Sequence, residues 1–169
     1  RACEQYRLEW VEQPVAAEDI AGLAAVRRAV GTRIAADESV TGPDAVRALL
    51  AAEAADVLIL KPTLAGGPVA TLRLAELARA AKVDSIVTTA LETGIGVTAA
   101  AHSAAVLGPG LPACGLATTA LLQDDLLAQP LRVEHGRLLM PTGIGLGVSL
   151  DREKLRHYTI GSGEATASR

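Results

Sequence analysis

Three short apolar runs in this sequence each end in a charged residue, and the ends are evenly spaced. Leu8-Glu9-Trp10-Val11 runs into Glu12, Ile34-Ala35-Ala36 into Asp37-Glu38, and Val57-Leu58-Ile59-Leu60 into Lys61-Pro62. The charged ends lie 25 and 24 residues apart. That interval holds one strand, one helix and two loops, the length of a βα unit. Between the runs stand Ala/Leu/Arg segments with helical periodicity. In the first, Ile20, Leu23 and Ala24 share one face, and the basic pair Arg27-Arg28 follows toward the end of the segment. A second is predicted from Pro43 to about Ala52, with proline just inside its start, and a third from Gly66-Gly67-Pro68 to about Ala81. Ser85-Ile86-Val87-Thr88-Thr89 and Ala113-Cys114-Gly115-Leu116 continue the strand series, followed by helices predicted from about Val97 to Leu107 and over Thr118–Leu127.

The pattern predicts an α/β fold of about five βα units. Strands that are apolar throughout belong to a parallel sheet covered by helices. Regular βα spacing without a Gly-rich dinucleotide fingerprint favours a partial (β/α) TIM-type barrel over a doubly wound sheet. Gly94-x-Gly96 lacks the third glycine of that fingerprint. After residue 129 the pattern changes. Leu131-Arg132-Val133, His135-Gly136 and Leu138-Leu139-Met140 read as a hairpin closed by a Gly-containing turn. Residues 1–129 are therefore expected to be barrel, 130–158 a short return segment, and 159–169 a flexible tail.

Composition narrows the partners. One Trp, two Tyr and no Phe leave no base-stacking platform or aromatic cage. A net charge of −3 lacks the positive excess that nucleic-acid binders set against phosphates. Cys3 and Cys114 cannot build a disulfide framework or an all-cysteine zinc site, and read as small buried hydrophobes in a reducing, cytoplasmic setting. Thr93–Gln123 carries no Lys, Arg, Asp or Glu, but glycines and prolines break it into runs too short for a bilayer. Neither a nucleic acid nor a membrane is expected as a partner.

In a βα barrel, polar residues at the C-terminal ends of strands point into the active-site mouth. Carboxylates on adjacent strand ends, Glu12 and Asp37, suit a hard divalent cation, Mg²⁺ or Mn²⁺. Lys61 is sharper still, since lysines number three against thirteen arginines and this one ends a Val-Leu-Ile-Leu run. Lysine, unlike arginine, can be brought by its surroundings to exchange a proton. Each charge alone reads as an ordinary strand-end residue meeting a helix or water; three in phase read as a site.

Other candidates have bland readings beside the functional ones. Glu92 could join the mouth or offset a helix dipole. Gly66-Gly67 could receive a carboxylate or form a plain turn. His102 reads as a core-facing helical histidine, and Asp124-Asp125 as a solvated pair. No Ser-His-Asp or Cys-His nucleophile arrangement has supporting context.

Four strand-end motifs resemble those of the enolase superfamily, in its muconate-lactonizing subgroup. They are Trp10-Val11-Glu12-Gln13-Pro14, Ala36-Asp37-Glu38-Ser39, Leu60-Lys61-Pro62-Thr63-Leu64-Ala65-Gly66-Gly67 and Ala90-Leu91-Glu92-Thr93-Gly94-Ile95-Gly96. The third run and Cys114-Gly115-Leu116-Ala117-Thr118 look most like the o-succinylbenzoate synthases of menaquinone biosynthesis, a family that overlaps N-succinylamino acid racemases. The resemblance implies a modified barrel with a capping domain and one Mg²⁺ held by three carboxylates on successive strands. It assigns Glu12 and Asp37 as two of these ligands and Lys61 as the catalytic lysine facing the substrate. Thr89 and Gly115 are then the contacts to the substrate's succinyl carboxylate. The implied reaction is a dehydration through a metal-stabilised enediolate on a small carboxylate substrate, with a homo-oligomer open to the intact enzyme.

The family's first metal ligand, its Lys-x-Lys strand and its capping domain would precede Arg1. A whole barrel takes roughly 250 residues. The expectation is thus a C-terminal part of a lyase, inactive by itself. The alternatives are a racemase, dipeptide epimerase or muconate cycloisomerase of the same subgroup, or a non-catalytic half-barrel that binds partners through its open edges.

Overall fold

The computed structural model describes residues 2, 4–108 and 110–160. Cys3 and the segment 161–169, the greater part of the expected tail, lie outside the described residues. Four strands, β1 (Trp10–Glu12), β2 (Arg33–Ala36), β3 (Val57–Leu60) and β4 (Asp84–Val87), form one parallel sheet in sequential order. Val11 stands opposite Ile34, Ala36 opposite Leu58, and Leu60 opposite Val87. Parallel neighbours require crossover connections. These run through α1 (Ile20–Ala29), α2 (Pro43–Ala51), and the pair α3 (Pro62–Ala65) and α4 (Pro68–Ala80); α5 (Gly94–Leu107) follows β4.

The helices start where the local chemistry allows. Asp19 caps α1 by accepting from Gly22 N, while Arg27 and Arg28 lie in its last turn, where cations are favourable. Gly66 ends α3 at φ 92° and Gly67 enters α4 at φ 102°, conformations that favour glycine.

Alternation along the strands separates two faces. Ile34, Ala36, Leu58 and Leu60 pack against Leu23 of α1, Val46 and Leu49 of α2, and Leu74, Ala75 and Ala78 of α4. Ala35, Val57, Ile59 and Ile86 form a second cluster with Trp10 against it. The first face is the outer, helix-covered one, and the second is the face a barrel turns inward. At the N-terminal ends of the strands, Asp56 accepts from Arg27 Nε (2.8 Å) and Ile34 N (2.9 Å), and Arg33 pairs with Asp84. These contacts tie loops together at the end opposite the predicted site.

The fifth unit departs from expectation. At Ala113–Leu116 the strand reduces to a single parallel bridge between Thr88 and Gly115. Gly115 N donates to Val87 O and Thr89 N to Gly115 O. The helix predicted over Thr118–Leu127 is only a 3₁₀ turn, Thr118–Leu121. Beyond it, Asp125 N and Leu126 N donate to the carboxylates of Asp124 and Asp125 and not to helical carbonyls. The chain then extends, and Leu127 pairs antiparallel with Leu150. A two-stranded hairpin follows, β5 (Val133–Glu134) with β6 (Arg137–Leu138), turning through His135 and Gly136 at φ 50° and 75°. A further helix, α6 (Arg152–Tyr158), is capped by Asp151 and was not expected. No helix among the described residues is long and apolar enough to cross a membrane.

Candidate active site

Glu12 is the last residue of β1, and Asp37 and Lys61 are the first residues beyond β2 and β3. Each follows a residue of the inward face by two positions, after Trp10, Ala35 and Ile59. Period-2 alternation therefore puts all three side chains on that face at one end of the sheet. Lys61 Nζ reaches Asp37 Oδ2 at 2.5 Å, and Asp37 is only 7% exposed. Glu12 is exposed as a residue, yet burial of its carboxyl holds it above the usual glutamate range. The negative charge of Asp37, a hydrogen bond with it, and the charge of Glu38 push the same way, against the weaker pull of Lys61.

Glu12, Lys61, Thr89 and Gly115 line one cleft of about 340 Å³, with Trp10, Ile59, Ile86 and Thr88 among the other walls. Asp37 is bonded to Lys61 from behind. Thr89, 5% exposed, has its Oγ1 2.8 Å from Thr118 Oγ1 and 3.2 Å from Gly115 O. Thr88 Oγ1 also donates to Gly115 O, at 3.0 Å. A Cβ at position 115 would fall on Thr88 Oγ1, so a larger residue there has to displace that hydroxyl. Cys114 shares the cleft, and burial pushes its thiol up.

Four residues of the site escaped the sequence reading: Gln13, Ser39, Thr88 and Thr118. Thr88 could have been found, because it stands two positions beyond Ile86 on the inward face. Gln13 and Ser39 act through hydrogen bonds across 22 to 26 residues and Thr118 across 29, which leave no local pattern.

The weaker candidates resolve. Glu92 Oε1 accepts from Ala90 N, and its other oxygen lies where a Cβ on Gly96 would fall, over the first turn of α5. The N–H groups of Gly66 and Gly67 both donate to Pro62 O, so this is a turn. His102 Nε2 lies 3.1 Å from Leu146 O and joins α5 to the glycine-containing stretch 141–147. The reading of Asp124-Asp125 as a solvated pair holds for Asp124, which is exposed, and is corrected for Asp125, which is not. Asp125 Oδ1 caps α5 by accepting from Gly94 N at 2.7 Å, while Asp124 pairs with Lys154 Nζ at 2.7 Å. Sequence spacing could not show that residue 125 meets the first turn of α5.

Glu12 and Asp37 offer hard oxygen donors whose mutual repulsion a cation would offset, so they fit two ligands of a divalent ion. Among the described residues no group of three His, Cys, Asp or Glu side chains is placed to hold one.

Comparison with known proteins identifies the family. The family model described as enolase C-terminal domain-like matches residues 1–154. An o-succinylbenzoate synthase of Thermobifida fusca is 45% identical over 139 residues, 82% of this chain and 42% of that protein. A chloromuconate cycloisomerase of Cupriavidus necator is 38% identical over 157 residues, 92% of this chain and 42% of that one. The solved 2-chloromuconate cycloisomerase of Rhodococcus opacus 1CP superposes with a TM-score of 0.88 at 32% identity, covering 95% of this chain and 43% of its own. The chain thus spans about two fifths of the length of these relatives, in the part that carries the barrel's C-terminal strands. It belongs to the enolase C-terminal domain-like family and, within the enolase superfamily, to the muconate-lactonizing subgroup.

Proposed function

We propose that this chain supplies two carboxylates and a lysine to an o-succinylbenzoate synthase-like lyase of menaquinone biosynthesis. The observation that carries the reading is the placement of Lys61 between Asp37 and the cleft shared with Glu12, Thr89 and Gly115. Glu12 and Asp37 would hold Mg²⁺, with Mn²⁺ as a substitute, and further ligands would come from outside this chain. A bound divalent ion supplies positive charge to a carboxylate substrate that loses a proton from the adjacent carbon. Asp37 holds the Lys61 amine at the cleft wall, where it faces the reacting end of the substrate. Thr89 and Gly115 stand on the neighbouring strand ends, where they would meet the substrate's far carboxylate. Trp10, Ile59 and Ile86 give that cleft an apolar floor, which strengthens charge interactions above it.

The higher identity to the Thermobifida synthase supports dehydration as the reaction. The longer match to cycloisomerases, in sequence and in structure, favours a second reading, muconate cycloisomerisation at the same site. The return segment 130–158 is proposed to pack on a capping domain, and the intact enzyme to work in the cytoplasm, where it could form a homo-oligomer. To test this, the full-length protein is assayed with Mg²⁺ on the cyclohexadiene substrate of the synthase, on muconate, and on N-succinylamino acids. Dehydration supports the synthase reading. Lactonisation without dehydration replaces it with the second, and turnover of none of the substrates overturns both.

A further inference from the structure

Gln13 has a φ of 38°, in the left-handed region that a non-glycine residue rarely adopts. Among the described residues, the other non-glycine residues with positive φ have ordinary settings. Glu53 and Lys82 follow helices α2 and α4, Arg7 follows the 3₁₀ turn Glu4–Tyr6, and His135 closes the hairpin. Gln13 instead follows a strand, directly after Glu12. Backbone held in a sparsely populated region persists only where its surroundings over-determine it, and it concentrates at functional sites.

The surroundings here are a set of hydrogen bonds across two loops. Gln13 N donates to Ala35 O at 2.9 Å. Gln13 Oε1 accepts from Asp37 N at 2.9 Å and Ser39 N at 3.3 Å. Gln13 Nε2 donates to Ser39 Oγ at 2.8 Å and Val15 O at 3.3 Å. Ser39 Oγ in turn donates to Ala17 O at 2.6 Å. One amide thereby stitches the loop after β1 to the loop after β2, at the point where Glu12 and Asp37 leave their strands. Those two carboxylates repel one another when both are charged, so other contacts must hold them on neighbouring strand ends.

We infer that Gln13 is a positioning residue that fixes Asp37 beside Glu12 by clamping the loop between β2 and α2. The inference rests on the reading of Glu12 and Asp37 as ligands of a divalent ion. Gln13 does not touch the substrate; it acts through the backbone of Asp37 and Ser39, as outer partners of metal ligands do.

The test uses the full-length protein and Mn²⁺ alone as the probe. Gln13→Met keeps the length of the side chain and removes the amide. It should speed hydrogen exchange at the Asp37 and Ser39 amides about tenfold or more, leave exchange in β3 unchanged, and weaken Mn²⁺ binding about tenfold. Gln13→Glu keeps an acceptor for the two amides and should restore slow exchange. Unchanged exchange at Asp37 in Gln13→Met overturns the clamp. Faster exchange with unchanged Mn²⁺ affinity overturns the positioning role. Should Gln13→Met fail to fold, Ser39→Ala, which cuts the Nε2 to Oγ arm, carries the same comparison with a smaller loss; unchanged affinity there also overturns the role. Asp37→Asn separates the two levels. Wild-type Mn²⁺ affinity in that variant refutes the metal-site reading and the inference with it. Lost affinity in Asp37→Asn beside full affinity in Gln13→Met refutes Gln13 alone.

Discussion

Lys61 Nζ lies 2.5 Å from Asp37 Oδ2, so the end of β3 is tied to the end of β2 by opposite charges beneath the cleft. The lysine side chain is 19% exposed and the aspartate 7%. Water screens such a pair poorly, and neither partner can be removed without consequence for the other.

Lys61→Met should therefore act on two observables. In the full-length enzyme, turnover should fall by about 10²–10⁴, the range of a lost acid–base group. The carboxylate of Asp37, left without its partner, should cost about 1–3 kcal/mol of stability. Lys61→Arg should restore stability more than turnover, because a guanidinium keeps its charge but does not exchange a proton. Steady-state kinetics set beside thermal unfolding check this, and unchanged turnover in Lys61→Met removes the lysine from the mechanism.

Glu12 carries a pH dependence. Its carboxyl is raised, chiefly by burial and next by Asp37, so the folded state binds its proton more tightly than the unfolded state does. The proton stabilises the fold at low pH, and that contribution is lost as pH rises from the ordinary glutamate range through the raised value. Glu12→Gln removes the charge. With a chelator present, the variant should melt about 1–2 °C above wild type at neutral pH. The gap should close below the ordinary glutamate range. Melting curves across that pH range decide the matter, and a variant less stable than wild type at pH 7 contradicts it.

Thr89→Val replaces a buried hydroxyl with a methyl group of similar size. Thr118 Oγ1 loses its partner 2.8 Å away, and the cost should be about 1 kcal/mol. If Thr89 meets the substrate, KM should also rise severalfold while kcat changes little, because a binding contact is lost and the lysine is untouched. A fall in kcat at constant KM would place Thr89 elsewhere in the mechanism.

Asp125→Ala tests the cap on α5. No side chain of the helix's own N-terminus caps it, and Gly94 N donates instead to Asp125 Oδ1. Loss of that acceptor should cost about 1 kcal/mol and lower Tm by roughly 2–4 °C. Asp125→Asn, which keeps an oxygen in place, should retain most of it. Equal melting temperatures for Asp125→Ala and wild type would show that the contact contributes nothing.

The parallel sheet and the placing of three charges on one face were legible in the chain itself. Apolar runs of strand length alternate with helical periods, and Glu12, Asp37 and Lys61 end those runs in phase. Such patterns are local: period 2 assigns a face and period 3.6 assigns a stripe, whatever the rest of the molecule does. Sequential parallel order then brings the strand ends together without further information. The fifth unit and the loop clamp were not legible. Asp125 caps a helix that begins 31 residues earlier, and Gln13 spans 24 residues to reach Asp37. A hydrogen bond of this kind depends on where two loops meet in space, and neither loop's composition records it. The sequence alone determined which residues could carry chemistry; tertiary structure decided which of them are held together, because repelling carboxylates converge only where distant backbone and amide groups fix them.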